Sequence, residues 1–145
     1  MKAFISTTTF GYFNYLLALV LGASPWIFHF DHIGGAALFF PLMFGWHQLL
    51  MAIFSKSKAG MVGIFPVQMH CTLDMFAGFV LMCTPFMYGF KVHGFQVYWV
   101  HLVFGAIILF LGVFTKGSPA TNPPHEMKGE GGIASTDSFE SRLMS

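Results

Sequence analysis

Five polar side chains stand inside otherwise apolar stretches of this chain, at positions where they could take part in chemistry. They are Asn14, His47, Gln48, His70 and Asp74. A buried polar group costs free energy unless it finds a hydrogen-bond partner, so such residues are the first to inspect for function. His70 and Asp74 stand four residues apart, which places them on one face of a helix.

These residues are compatible with three roles. We favour a structural polar cluster, in which Asn14, Gln48, His70 and Asp74 hydrogen-bond across a helical bundle and fix its register. A second role is the binding of a b-type heme or another tetrapyrrole, with His47 and His70 as axial ligands on facing helices. A third is a proton-coupled carrier or channel centred on Asp74, for which His101 alone offers a continuation.

Motifs of catalysis are absent from the sequence: it has no glycine-rich phosphate loop, nucleophile elbow or pair of catalytic carboxylates. The spacing of its histidines and cysteines does not indicate a metal site. We therefore expect no enzymatic activity, no metal and, under the favoured structural role, no cofactor.

The elements that must position these side chains are long apolar segments. The chain is 55% hydrophobic and 9% charged, and its mean hydropathy is +0.67, which is typical of a membrane protein. Four spans are predicted, over residues 10–28, 33–54, 64–88 and 95–114. The sequence thus predicts an all-α, four-helix transmembrane domain over residues 1–116, followed by a polar cytoplasmic tail over residues 117–145.

Charge sets the expected orientation of the four spans. The turns after spans one and three are short, so each pair of spans forms an antiparallel hairpin. Six basic residues fall on the side of the termini: Lys2, Lys56, Lys58, Lys116, Lys128 and Arg142. Only Lys91 falls on the other side, so the positive-inside rule places both termini in the cytoplasm. A net charge of +1 gives no basic surface for nucleic acid.

The two hairpins are copies of one unit. Residues 10–57 align with residues 70–117 without a gap, with 11 identities in 48 positions. Internal repeats of this kind indicate one supersecondary unit used twice. Because each unit contains two spans, both copies enter the membrane in the same orientation, as a parallel repeat.

Each copy contains a hydroxyl-proline-aromatic tripeptide, Ser24-Pro25-Trp26 in the first and Thr84-Pro85-Phe86 in the second. With the apolar helices around it and His70-x-x-x-Asp74 ahead of the second copy, this pattern resembles the SPW-repeat integral membrane proteins. The resemblance covers about residues 8–117. It implies a membrane fold and no established activity.

Two further expectations concern proline and tryptophan. Proline removes a backbone donor, so α-helical structure is expected to kink or stop at Pro25 and to kink at Pro41, while Pro66 is expected to interrupt the third span near its start. Trp26, Trp46 and Trp99 are expected mostly near span ends, as an aromatic belt.

The expected function is that of a non-catalytic accessory subunit. In this interpretation the protein packs against other integral subunits of a larger complex, respiratory or photosynthetic, in the bacterial inner membrane. Its partners would be membrane lipids and those subunits, with tail 117–145 as a contact.

Overall fold

Four long helices make up the fold of the residues that the structure describes. The computed structural model describes residues 3–92 and 94–121, and the predicted tail therefore lies mostly outside the described residues. The helices are α1 (Thr7–Ile27), α2 (Gly35–Phe54), α3 (Val67–Met87) and α4 (Phe95–Phe114). Each is long and apolar enough to cross a membrane, and the described residues contain no strand. The prediction of an all-α, four-span bundle is confirmed.

The 60-residue repeat is visible in the helix boundaries. α1 and α3 begin 60 residues apart and end 60 residues apart, and the same holds for α2 and α4. In each repeat a short 3₁₀ turn, Asp31–Ile33 or Phe90–Val92, precedes the second helix. We call residues 60 apart repeat mates.

The structure differs from the expectation for Pro66 and excludes a helix stop at Pro25, one of the two outcomes expected there. Pro66 does not interrupt α3 but caps its start with an extended backbone, where its missing N–H costs nothing. Pro25 does not stop α1, which continues to Ile27, and α2 likewise continues through Pro41.

The helix passes Pro25 because the preceding serine supplies a donor. Pro25 has no N–H to offer the carbonyl of Leu21, four residues earlier, and the Ser24 hydroxyl donates to that carbonyl at 2.7 Å. In the second repeat the Thr84 hydroxyl donates to the Leu81 carbonyl at the same distance, beside Pro85. The hydroxyl and the proline of the repeated tripeptide therefore act as a unit.

Within each hairpin the helices approach closely at glycine. α1 packs mainly on α2, and α3 packs mainly on α4. A Cβ atom at Gly45 would lie 2.7 Å from the backbone nitrogen of Gly22, and one at Gly105 would lie 2.8 Å from the carbonyl oxygen of Gly78. Small residues at such crossings allow backbones to touch, as is common between membrane helices.

The two hairpins are joined at one end by a symmetric pair of isolated parallel bridges. Ser55 pairs with Phe65, and Ile5 pairs with Thr115. The two pairs are repeat mates, so the segment before α1 meets the end of α4 as the segment before α3 meets the end of α2. We call this the bridge end of the bundle, and the opposite end, with the 3₁₀ turns, the turn end.

Candidate functional site: a buried polar layer between the hairpins

Four polar side chains from three helices meet inside the bundle and form what we call the polar layer. Asn14 comes from α1, Gln48 from α2, and His70 and Asp74 from α3, and all four are 0% exposed. The four residues of the predicted polar cluster are therefore brought together.

Hydrogen bonds in the polar layer converge on the Asp74 carboxyl group. Gln48 donates from Nε2 to Oδ1 of Asp74 at 3.1 Å, and Asn14 donates from Nδ2 to Oδ2 at 3.5 Å. The Asn14 Nδ2 atom also lies 2.9 Å from Nε2 of His70, and that nitrogen lies 3.5 Å from Oδ2 of Asp74. Both amide donors come from the first hairpin and the carboxyl group from the second, so the polar layer ties the hairpins together.

Position along the helices explains why these residues meet. Asn14 and Asp74 are repeat mates, each seven residues into its helix, and Gln48 lies six residues before the end of α2. At 1.5 Å per residue, all three stand about 10 Å from the bridge end. The repeat mate of Gln48 is Ile108, so only the first hairpin contributes a polar side chain from its second helix.

The polar layer is not fully satisfied. Asn14 Oδ1, Gln48 Oε1 and His70 Nδ1 are buried without a hydrogen-bond partner in the described structure. If Asn14 donates to Nε2 of His70, that ring carries its proton on Nδ1. Two acceptors and one donor would then lack hydrogen-bond partners. A buried water molecule can satisfy polar groups of this kind.

His47 stands at the edge of the polar layer. It follows directly before Gln48 on α2, it is half-buried, and its Nε2 atom is buried without a partner among the described residues. Nε2 of His70 faces Asn14 and Asp74, and the His70 ring packs on Phe10 with centroids 4.7 Å apart. Of the two histidines, His70 is therefore the one engaged in the polar layer. Among the described residues no group of three His, Cys, Asp or Glu side chains could hold a metal ion.

His101, the remaining buried histidine, lies near the turn end. Its Nδ1 donates to the carbonyl of Val97 at 2.8 Å, its Nε2 has no partner among the described residues, and the repeat mates Phe30 and Phe90 lie against its ring. His101 stands seven residues, about 10 Å, from the level of the polar layer on α4. Buried apolar side chains fill the core between these levels, including Leu17, Phe44 and Ala77.

Trp46 departs from the predicted aromatic belt. Trp26 lies next to the end of α1 and Trp99 lies in the second turn of α4, but Trp46 lies eight residues before the end of α2, about 12 Å inside. Trp46 is nevertheless 63% exposed, and its indole N–H has no acceptor in the described part of the chain. Neither this depth nor the outward direction of the ring was predicted from the sequence.

Comparison with known proteins agrees with this architecture. A sequence model of the SPW repeat domain matches residues 8–115, about three quarters of the chain. No curated protein and no solved structure matches the chain. With four apolar helices of spanning length over the same residues, the chain belongs to the SPW repeat domain family and is a multi-pass membrane protein.

Proposed function

We propose that the protein is a non-catalytic accessory subunit that binds another integral membrane protein through the outward face of α2. The complex would lie in the bacterial inner membrane. The polar layer would hold the two hairpins in register, and the apolar outer surface would supply the contact.

The depth and the exposure of Trp46 are the main support for this proposal. An indole is favourable at a membrane interface, where its ring is buried and its N–H reaches water or headgroups. About 12 Å inside a hydrocarbon core of about 30 Å, an exposed indole N–H has no such partner. A neighbouring transmembrane helix that covers the ring and offers an acceptor removes that cost. Tryptophan is also among the residues that contribute most to protein interfaces.

The closed polar layer supports the non-catalytic part of the proposal. Its four side chains are 0% exposed and are directed toward one another. A substrate could not reach them without separating the helices. Such an arrangement suits a structural tie better than a reaction centre.

Charge supports the proposed orientation. Lys56, Lys58 and Lys116 lie at the bridge end, whereas Lys91 and Asp31 lie at the turn end. The positive-inside rule then favours a cytoplasmic bridge end. Cysteine accessibility in intact spheroplasts at positions 58 and 32 tests this orientation.

Photo-crosslinking in native membranes tests the partner. A photoreactive amino acid at position 46 is expected to give an adduct with another membrane protein. Phe76 is a matched control, because it is 67% exposed on α3 and lies nine residues from the bridge end, at a similar depth. The proposal fails if position 46 gives only lipid adducts, or if both positions capture the same proteins equally.

A proton-coupled role remains the second candidate, favoured by the unpartnered atoms of the polar layer. The apolar core between Asp74 and His101 weighs against a path through the bundle. Proton flux in proteoliposomes that is lost in Asp74→Asn, with the fold retained, would support transport over the accessory role. The heme alternative has less support, because Nε2 of His70 is already engaged; a Soret band that disappears in His70→Ala would support it.

A further inference from the structure

An apolar groove of about 820 Å³ runs along the seam between α1 and α4, on the side of the bundle away from Gln48. Its α4 wall extends from Leu102 to Leu111, and its α1 wall includes Phe13. Phe13 and Phe110 are exposed at its edges, so the groove is open toward the lipid. Its volume lies within the range of small-molecule sites.

The equivalent seam between α2 and α3 carries bulkier or more polar side chains at the same positions. Ala106 and Ile107 line the groove, and their repeat mates are Trp46 and His47. The Ala106 side chain is a single methyl group, so it leaves this part of the groove open. The groove is therefore a feature of the α1–α4 seam that the repeat alone does not dictate.

The length and polarity of the groove match one lipid chain. Leu111 lies nine residues after Leu102, a length of about 14 Å along α4, compared with about 15 Å for the hydrocarbon of one leaflet. The groove is apolar except at its bridge end, where the hydroxyl groups of Ser6 and Thr9 line it and bond to each other at 2.9 Å. An amphiphile with its polar head at the bridge end suits this arrangement.

A positive charge stands beside that polar end. The backbone N–H of Lys116 donates to the carbonyl of the groove residue Ile5 at 2.8 Å, and the Lys116 side chain is exposed. In the described ranges 3–92 and 94–121 the only acidic residues are Asp31, at the turn end, and the buried Asp74. No carboxylate in those ranges competes with a lipid phosphate for Lys116.

We propose that the α1–α4 groove binds one acyl chain of an anionic phospholipid, with the phosphate of the headgroup at Lys116. The site is separate from the partner surface at Trp46, which lies on α2. The lipid-binding proposal can therefore be tested independently of the proposed function.

Native mass spectrometry of the purified full chain, titrated with phosphatidylglycerol, tests the proposal. The wild-type protein is expected to retain one phosphatidylglycerol in preference to phosphatidylcholine. Lys116→Gln is expected to lower that retention about five-fold, since one lysine near a membrane surface contributes about that much to binding anionic lipid. The matched control is Lys56→Gln, the repeat mate at the other seam, which is expected to retain phosphatidylglycerol as the wild type does.

A second variant addresses the acyl chain. Ala106→Trp places in the groove the residue that its repeat mate already carries, and it is expected to abolish the bound-lipid peak without loss of helicity. Equal loss in Lys56→Gln and Lys116→Gln would overturn the proposal, as would equal retention of the two lipids. A dimer peak that disappears in Ala106→Trp would instead identify a second copy as the occupant, and a copurified quinone would identify an uncharged isoprenoid.

Discussion

The two repeats have the same helices and different interiors. Both have a hydroxyl that bonds the carbonyl left free by a proline, both have a buried phenylalanine at the turn end, and both have a bridge pair at the other end. They differ at the repeat-mate pairs Asn14/Asp74, Gln48/Ile108 and Trp46/Ala106. The shared features are those that a hairpin needs in order to fold. The differences lie where the hairpins meet each other or meet the membrane.

The Asn14/Asp74 pair shows why the difference is useful. Two asparagines can bond to each other, but two aspartates facing each other would place like charges in an apolar core, which is strongly unfavourable. One amide and one carboxyl group give a donor and an acceptor. Divergence of the copies thus produced a complementary interface from an identical one.

The largest loss of stability is expected when the carboxyl group of Asp74, the acceptor in the polar layer, is removed. Asp74→Leu leaves the Gln48 donor buried without a partner and removes one of the two contacts of the Asn14 amide, so it should lower the free energy of unfolding by about 3 kcal/mol, the upper end for a buried donor left unsatisfied. Denaturation by SDS in mixed micelles measures this. Asp74→Asn, which makes the two mates alike, should cost clearly less. Equal and small losses for both variants would show that the polar layer does not tie the hairpins.

The next largest loss of stability is expected from a substitution at Gly45. Gly45→Ala would force a Cβ atom against the backbone of Gly22 and separate α1 from α2, at a cost of about 1–3 kcal/mol. The matched control lies across the same crossing: a Cβ at Gly22 meets nothing within 4 Å, so Gly22→Ala should be tolerated. The same unfolding measurement compares the two variants. An equal cost for both would contradict the close approach described at Gly45.

Gln48→Ile makes the polar layer symmetric by giving α2 the side chain that α4 has at Ile108. Asp74 then loses one of its two amide donors, and the variant should be destabilised by about 1–2 kcal/mol. In the double variant with Asp74→Leu, the two losses should not add, because they remove the same hydrogen bond. Additive losses would place Gln48 outside the network.

The smallest effects are expected at the repeated tripeptide. Ser24→Ala and Thr84→Val each remove the donor to a carbonyl within the same helix that proline has left free, at a cost of about 0.5–1 kcal/mol, the lower end for an intramolecular hydrogen bond. Because both bonds measure 2.7 Å, the two losses should be alike. A much larger loss in one repeat would show that the hydroxyl has a further contact there.

Much of this fold follows from the sequence because hydropathy and repetition are strong signals. The four spans and the common depth of Asn14, Gln48 and Asp74 come from counting residues along helices of fixed rise. The polar layer could be predicted from that common depth because polar side chains inside an apolar bundle find hydrogen-bond partners mainly in one another.

The features that the sequence did not predict depend on the direction in which side chains point and on which local hydrogen bonds form. Pro25 predicts a break, and only the geometry of Ser24 shows how the helix continues past it. Gly22 and Gly45 look alike in the sequence, yet only Gly45 stands against a neighbouring backbone. The outward direction of Trp46 and the groove beside Ala106 depend on how α2 and α4 are rotated about their axes. Hydropathy that is nearly uniform around a helix does not encode that rotation.

The bridge pairs have a consequence for chain order. Since Ile5 lies beside Thr115 as Phe65 lies beside Ser55, the polypeptide traces a nearly closed circuit with two equivalent junctions. A short linker from Thr121 to Ala3, with new termini opened between Lys58 and Gly63, would let the second hairpin be synthesised first while the helix contacts stay the same. The helix contacts of the folded bundle therefore do not require that the first hairpin be synthesised before the second.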